Sequence, residues 1–235
     1  MTTPEILAKL QSLGLASYKK VLLNHGINEP VFGVKIEELK KIAKPIRKNY
    51  KLSMELFDTG NYDAQYLAGI IADETKMTKK DLRHWLAKSN SRVLCGSTVA
   101  WIAAESVHGY ELALEWIDAN NEAANQAGWA ILISYVGITN DAELDMARLN
   151  KLLQRVQATV HDAPDKVRYV MNGFVISVGV YVNELTLLAI EIGKAIGRVK
   201  VDMGQTACKV PSIVEYIKKV QDRGTIGKKR KSARC

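Results

Sequence analysis

One short apolar phrase occurs four times along this chain, and it constrains the fold more than any other feature. The copies span residues 66–72, 98–104, 128–134 and 173–179, so the steps between their starts are 32, 30 and 45 residues. A period of about 30 to 45 residues is typical of stacked helical repeats. In such an array each helix pair buries its apolar face against neighbouring pairs. The phrase therefore predicts an all-α fold, a superhelical array of antiparallel helix pairs (an α-α solenoid).

The repeated phrases leave some local alternatives open. Residues 174–182 are rich in β-branched side chains and, taken alone, have the composition of a strand. Their place in the repeat series indicates a buried helix instead. Trp101 and Trp129 lie within two other copies, where helical spacing favours packing in the core over stacking on a ligand. Pro45 falls inside a predicted helix over residues 36–49 and is expected to kink it or to mark a local break.

Size and composition predict one domain over residues 1–222 followed by a basic tail over residues 223–235. The chain has 235 residues, of which 47% are hydrophobic, and this is ample for a core. Its most apolar segment is far shorter than the roughly 20 residues that a membrane span needs, so no membrane partner is expected. Three widely separated cysteines and an N-terminus without signal-like character predict a cytoplasmic protein with reduced thiols.

The sequence contains no motif for a metal or a cofactor. Its four histidines are scattered, and none belongs to a Cys-x-x-Cys or a His-Glu-x-x-His pattern. Glycine-rich phosphate-binding signatures are also missing. We therefore predict neither a metal site nor a cofactor.

Charge is distributed unevenly along the chain. Residues 1–92 hold 16 basic and 10 acidic residues, residues 93–147 hold no basic and 8 acidic residues, and residues 148–235 hold 17 basic and 7 acidic residues. Basic ends suit a polyanion, because lysine and arginine displace condensed counterions from phosphates. The acidic middle fits this interpretation if its carboxylates lie on the outer face of a helix.

Four groups of residues are candidates for contact with nucleic acid. They are a cationic face of the helix predicted over residues 36–49, a cluster before the last apolar phrase, a loop over residues 199–211, and the basic tail. The alternatives are a solvated outer face for the helix, a helix cap or bridge for Asn172, and a flexible solubilising segment for the tail. The candidates are Lys35, Lys40, Lys44, Arg47, Arg168, Asn172, Lys200, Lys209, Lys228, Lys229, Arg230 and Lys231.

This layout resembles a known family. The segment 32–43, which reads Phe-Gly-Val-Lys-Ile-Glu-Glu-Leu-Lys-Lys-Ile-Ala, the repeated helices and the phrase Ile131-Leu-Ile carry the resemblance. Over roughly residues 18–196 they resemble the HEAT-like-repeat DNA glycosylases of the bacterial alkylation-repair (AlkD-like) family. The resemblance implies HEAT-like repeats and a basic concave surface that cradles duplex DNA. It also implies base excision by a Trp and an Asp at the start of one inner helix, an Arg from the next repeat, and an aromatic from the one after.

The residues that would carry this excision do not match. The family's Trp falls near Val93, its Asp near Ser97 and its Arg near Gly128. No Asp or Glu occurs in residues 82–104, and no Lys or Arg occurs in residues 93–147. Only the aromatic is kept, as Phe174, which the resemblance makes a further candidate for DNA contact. We predict no catalytic residue, and DNA N-glycosylase activity stays open as an implication of the resemblance alone.

Two functions from different classes follow. The favoured one is a DNA-binding protein on a DNA-alkylation-repair scaffold, which holds duplex or distorted DNA through backbone contacts without the family's standard base excision. The alternative is a protein-interaction scaffold, a common use of helical solenoids, with a protein partner on the curved surface. Added salt distinguishes the two functions. Affinity that depends on phosphate contacts falls steeply with salt, whereas the affinity of an apolar groove for a protein partner does not.

Overall fold

The computed structural model describes residues 1–204 and 206–234, and no strand occurs among them. The all-α prediction is confirmed. The strand alternative for residues 174–182 is wrong, because the long helix α12 extends to Tyr181. The helices are α1 (Thr3–Leu13), α2 (Ala16–Asn24), α3 (Ile36–Ile46), α4 (Tyr50–Asp58), α5 (Tyr62–Ile71), α6 (Lys79–Lys88), α7 (Arg92–Leu94), α8 (Ala100–Glu105), α9 (Gly109–Trp116), α10 (Glu122–Ile138), α11 (Met146–Thr159), α12 (Asp165–Tyr181), α13 (Thr186–Ile196) and α14 (Ile213–Asp222).

The chain forms two compact units. Unit 1 comprises Met1–Leu112 with Gly204, Thr206 and Arg234. Unit 2 comprises Ala113–Met203 and Ala207–Ala233. The single domain expected over residues 1–222 stays a prediction.

Helix α5 is the centre of unit 1. Asn61 begins it by accepting a hydrogen bond from the backbone N–H of Ala64, and α1, α3 and α4 pack around it. Nearly every residue of α5 is buried, because the first apolar phrase is apolar on all sides of the helix. Beside it Phe57 and Trp85 stack with their ring centroids 4.2 Å apart. Burying such a side chain stabilises the unit by roughly 1.5–3 kcal/mol.

The second apolar phrase contains a local irregularity. Helix α7, a π-helical stretch over Cys95–Val99 and helix α8 run on from one another. Within that stretch Thr98 packs so tightly on α5 that a Cβ added at Gly69 would lie 2.4 Å from the Thr98 methyl carbon. Trp101 packs edge-on against Tyr66, with ring centroids 5.6 Å apart, but it is only half-buried, so the core interpretation of this tryptophan stays a prediction. Glycine at position 69 therefore allows the close approach of the two helices.

Helices α10 and α12 carry the third and fourth phrases and form the core of unit 2. They pack along each other, and α12 also contacts α11, α13 and α14. Trp129 and Phe174 meet between them with ring centroids 5.2 Å apart, and both are almost completely buried. Because neighbours surround α12, its sequence is apolar on every side and lacks an amphipathic period. This explains why the segment has the composition of a strand.

The end of α3 corrects one expectation. Pro45 lies in the last turn of α3, and the helix ends at Ile46. The local break expected at Pro45 is confirmed, whereas the alternative of a kink within one helix over residues 36–49 is wrong. A new helix, α4, begins at Tyr50.

No single helix among the described residues is long and apolar enough to cross a membrane. Helices α12 and α13, with the short turn between them, reach the required length and hydropathy only together, and a bend of 114° separates them. Both contribute buried residues to unit 2.

Candidate nucleic-acid interface

The entry to α3 is fixed by a turn that only glycine can form. Gly33 has a φ of +82°, and a Cβ there would lie 2.6 Å from the backbone nitrogen of Lys19. The carboxylate of Asp63 accepts hydrogen bonds from the backbone N–H groups of Phe32, Gly33 and Val34, at 2.7, 3.2 and 2.9 Å. The Phe-Gly-Val motif is therefore held in place by an acid about 30 residues later in the sequence.

Asp63 is a completely buried carboxyl group in the first turn of α5. Burial raises the pKa of this carboxyl above its ordinary value, and the three backbone donors act in the opposite direction. Without the carboxylate, those N–H groups would lose their acceptor in a site where water cannot replace it. Asp63 therefore fixes the position from which α3 starts.

Helix α3 and the residue that follows it carry three exposed cations. Lys40 and Lys44 lie one turn apart in the helix, and Arg47 is the first residue after its end. In the part of the chain that the structure describes, their side chains form no hydrogen bond and no ion pair. The neighbouring Lys41 and Lys48 are each paired with a glutamate instead. The three cations are thus free to contact an external anion.

Lys35 and Arg47 lie at the two ends of this cationic surface. Lys35 is exposed and immediately precedes the first residue of α3. At the other end Arg47 has φ 59° and ψ −149°, a conformation that residues other than glycine rarely adopt. Such strain, of about 1–3 kcal/mol, is concentrated at functional sites. We refer to Lys35, Lys40, Lys44 and Arg47 as the α3 face.

Two candidates on α12 are buried in unit 2. Phe174 is 0% exposed and packs on Trp129, and Asn172 is 1% exposed. The amide of Asn172 donates a hydrogen bond to the Pro211 carbonyl at 3.1 Å, so it bridges the helix to the loop before α14. Side chains buried to this degree cannot reach a nucleic acid. The predictions that Asn172 and Phe174 contact DNA are therefore wrong.

The loop before α14 carries the next candidates. Arg168 donates hydrogen bonds to the carbonyl of Ala163, at 2.9 and 3.1 Å, and to that of Lys200, at 2.8 Å. It thereby ties the start of this loop to α12. The side chains of Lys200 and Lys209 are exposed, and DNA contact by these lysines and by Arg168 stays a prediction.

The basic tail is folded against unit 2. Backbone N–H groups of Gly227 and Arg230 donate to carbonyls in the last turns of α12 and α10, at 2.8 and 2.7 Å. The ammonium group of Lys229 donates to another α10 carbonyl at 2.9 Å and pairs with Asp141 at 2.7 Å. Carbonyls at a helix end lack partners within the helix, and cations are favoured beside them. The flexible solubilising tail is therefore wrong for this segment, although Lys228 and Lys231 remain exposed.

Arg234 lies in unit 1 and joins two glutamates there. Its guanidinium pairs with Glu105, at 2.8 Å, and with Glu74, and it donates to two carbonyls at the end of α5 at 3.0 and 3.1 Å. The three charged side chains are only 13–15% exposed. Burial would raise the pKa of Glu74, but the hydrogen bond from Lys48 and the charge of Arg234 hold that pKa below its ordinary value. This end of the tail is a structural element.

Comparison with known proteins decides the family. The family model described as DNA alkylation repair enzyme matches residues 6–201. The chain belongs to the DNA alkylation repair enzyme family. Two curated relatives are the uncharacterized proteins Lin0241 of Listeria innocua serovar 6a, at 31% identity, and Lmo0209 of Listeria monocytogenes serovar 1/2a, at 30% identity. Each match covers 95% of this chain and 99% of the relative.

A solved structure is similar to this DNA alkylation repair family member over its whole length. It is 34% identical, covers 100% of both chains and has a TM-score of 0.93. That protein is described as part of a new family related to the HEAT-like repeat DNA glycosylases with affinity for branched DNA structures. The predicted HEAT-like repeat fold is confirmed by this match.

In this family member, the positions assigned to catalysis by resemblance hold no catalytic group. Val93 is a partly exposed aliphatic side chain, and the hydroxyl of Ser97 donates to the Val93 carbonyl at 2.6 Å. At Gly128, a Cβ would lie 2.7 Å from the backbone nitrogen of Ile117 and 2.9 Å from the carbonyl oxygen of Ala113. No larger side chain fits there, so an arginine is excluded from this position by packing.

Proposed function

We propose that this protein binds DNA, with a preference for branched structures, and that it does so without excising bases. The observation that carries the proposal is the full-length match to a protein with affinity for branched DNA. Identity of 34% over both complete chains makes a shared ligand class reasonable, beyond a shared fold. The α3 face supplies exposed cations, which suit the phosphate groups of DNA.

The α3 face is suited to phosphate rather than to base recognition. Its four cations are exposed, and ion pairs within the described part of the protein do not neutralise Lys40, Lys44 or Arg47. Cations of this kind neutralise backbone phosphates and release their condensed counterions, whatever the sequence. A protein that selects DNA by the geometry of its phosphate backbone, as at a branch point, needs phosphate contacts of this kind rather than contacts to bases. Lys200, Lys209, Lys228 and Lys231 are further exposed cations of unit 2.

The positions that match the family's catalytic residues lack the charged groups that base excision needs. Loss of an alkylated base leaves an oxocarbenium-like sugar, which a nearby carboxylate stabilises. The positions equivalent to the family's Asp and Arg hold Ser97 and Gly128, and neither provides a charge. The segment 82–104 offers no acid that a shift in register could supply.

A triple variant of the α3 face tests the binding proposal. Lys40→Ala/Lys44→Ala/Arg47→Ala should weaken binding to a four-way DNA junction and should lower the slope of log affinity against log salt by about 3. This value follows from a slope of roughly 0.9 for each phosphate that the variant no longer neutralises. Fluorescence anisotropy with a labelled junction at several salt concentrations measures both quantities.

The matched control removes the same charge elsewhere in unit 1. Lys9, Lys20 and Lys80 are exposed lysines of α1, α2 and α6, so Lys9→Ala/Lys20→Ala/Lys80→Ala tests net charge alone. Equal reductions in affinity for the two triple variants would show that the α3 face has no special role. A shallow salt slope in the wild-type protein would favour the protein-interaction alternative instead.

A further inference from the structure

Unit 2 contains a pocket that the DNA-binding proposal does not use. Its volume is about 440 Å³, within the range of roughly 300–1,000 Å³ that small-ligand sites span. Its lining includes Ile176 and Val180 of α12, together with Tyr181, Tyr216 and Lys228. We call it the tail pocket, because the basic tail forms one of its walls.

The basic tail makes this wall of the pocket suitable for binding an anion. The last turns of α10 and α12 end beside the pocket, and their carbonyls would otherwise present negative partial charge. The backbone N–H groups of Gly227 and Arg230 and the ammonium group of Lys229 are hydrogen-bonded to those carbonyls. These carbonyl groups, which carry the negative partial charge of the two helix ends, are therefore paired with donors from the tail.

Positive charge remains on the pocket wall after these contacts. Among the described residues, the side chain of Lys228 has no hydrogen bond or ion pair, and it is exposed. Arg230 donates through one nitrogen of its guanidinium to the Ala233 carbonyl at 2.6 Å. Its other guanidinium N–H groups have no acceptor within the described ranges, and Arg230 lines the pocket. Lys228 and Arg230 can therefore bind a phosphate group together.

The pocket also offers aromatic surface. Tyr216 is 48% exposed, which is high for a large aromatic side chain, and Tyr181 is half-buried. Ile176 and Val180 add apolar side chains to the same pocket. Aromatic faces beside cations are the combination that binds single-stranded nucleic acid, where bases stack and phosphates meet lysine or arginine.

We propose that the tail pocket binds one nucleotide, with its base against Tyr216 and Tyr181 and its phosphate at Lys228 and Arg230. The nucleotide can come from an unpaired stretch of a DNA strand or from free solution. In the first case the inference rests on the proposed function, because branched DNA such as a fork carries unpaired nucleotides next to its duplex arms. The pocket would then contribute selectivity that phosphate contacts on the α3 face cannot supply.

Binding of a short single strand tests the pocket directly. The probe is a 5′-phosphorylated, 3′-fluorescein-labelled hexathymidylate, and its affinity is measured by anisotropy with the full-length protein. Tyr216→Ala should weaken binding about five-fold or more, the usual effect of removing a stacking aromatic. Lys228→Ala should lower the salt slope by about 0.7, as expected for one phosphate contact with a single strand.

Two variants of unit 2 are matched controls. Tyr169→Ala removes another exposed tyrosine, and Lys194→Ala removes an exposed lysine of α13. Neither residue lines the pocket. Both should bind the probe as the wild-type protein does. Equal affinities for Tyr216→Ala and Tyr169→Ala, or no binding of the probe by the wild-type protein, would overturn the proposal.

Competitors identify the source of the nucleotide. Displacement of the probe by thymidine monophosphate assigns the pocket to free nucleotides as well, and displacement only by unlabelled hexathymidylate assigns it to a DNA strand. Inorganic phosphate that competes as well as the nucleotide would contradict the role of the tyrosines. Binding of a fully paired duplex is measured in parallel and should be unchanged in Tyr216→Ala, so a failure of the pocket is distinguishable from a failure of DNA binding itself.

Discussion

Replacement of Asp63 by alanine should lower the free energy of unfolding by about 4 kcal/mol, because several buried donors lose one shared acceptor. The backbone N–H groups of Phe32, Gly33 and Val34 all donate to this carboxylate. Each buried donor left without a partner costs about 1–3 kcal/mol, and domains are stable by only about 5–15 kcal/mol. Urea denaturation followed by circular dichroism measures the loss.

Two further variants separate this role from a general effect of charge. Asp63→Asn keeps one oxygen but turns an amide N–H₂ group toward a backbone donor, so it should cost less than alanine but remain clearly destabilising. Glu37→Gln removes an exposed acid of α3 and should leave stability within about 0.5 kcal/mol of the wild type. An Asp63→Ala protein as stable as Glu37→Gln would show that the carboxylate does not hold the turn before α3.

Arg234→Ala should destabilise the protein by about 3 kcal/mol, because it removes the guanidinium that pairs with both Glu74 and Glu105 in a mostly buried site and leaves Glu74 with only the more exposed Lys48. The loss should also depend on pH. The pKa of Glu74 is lowered in the folded protein, so its contribution is complete above the ordinary value of 4.5 and is lost as the pH falls through the lowered pKa. In Arg234→Ala that loss should begin at a higher pH, measured by urea denaturation between pH 3 and pH 7.

The control for Arg234 neutralises its partners. Arg234→Ala/Glu74→Gln/Glu105→Gln carries no unpaired buried charge, so it should recover part of the lost stability. Lys231→Ala removes an exposed cation of the same tail and should have little effect. No recovery in the triple variant, or an equal loss in Lys231→Ala, would contradict the assignment of Arg234 as a buried ion-pair partner.

The apolar phrase is sufficient to predict the fold class. Its four copies lie in α5, in the stretch containing α8, in α10 and in α12, and each is a buried part of its helix. The period along the chain resolves the ambiguity at residues 174–182, where composition alone favours a strand. It does so because a helix packed on all sides loses its amphipathic pattern but keeps its place in the repeat.

The same burial explains the errors on α12. Asn172 is a candidate because it precedes the last phrase, and Phe174 is one because the family resemblance places an aromatic there. A helix that is apolar all round gives no sign of which side faces solvent. The α3 face is easier to predict, because α3 alternates charged and apolar residues at helical spacing. There Lys40, Lys44 and Arg47 are exposed as the pattern indicates.

Long-range partners could not be predicted from the sequence. Asp63 binds a turn about 30 residues earlier, and Arg234 reaches Glu74 and Glu105 across 160 and 129 residues. One signal is present for Asp63, since an acid at the start of an otherwise apolar helix needs buried partners. For the tail, a run of cations without acids is consistent with a phosphate-binding arm and with a flexible solubilising segment, and neither interpretation predicts the hydrogen bonds to helix ends that the fold shows.

The most direct test of the central claim measures binding and base release in one experiment. The substrate is a four-way DNA junction that carries a single 7-methylguanine, beside a linear duplex of the same sequence with the same lesion. We expect the wild-type protein to bind the junction more tightly than the duplex and to release 7-methylguanine from neither faster than spontaneous loss. Tighter binding to the duplex, or release that rises with protein concentration, would contradict a branched-DNA-binding protein without base-excision chemistry.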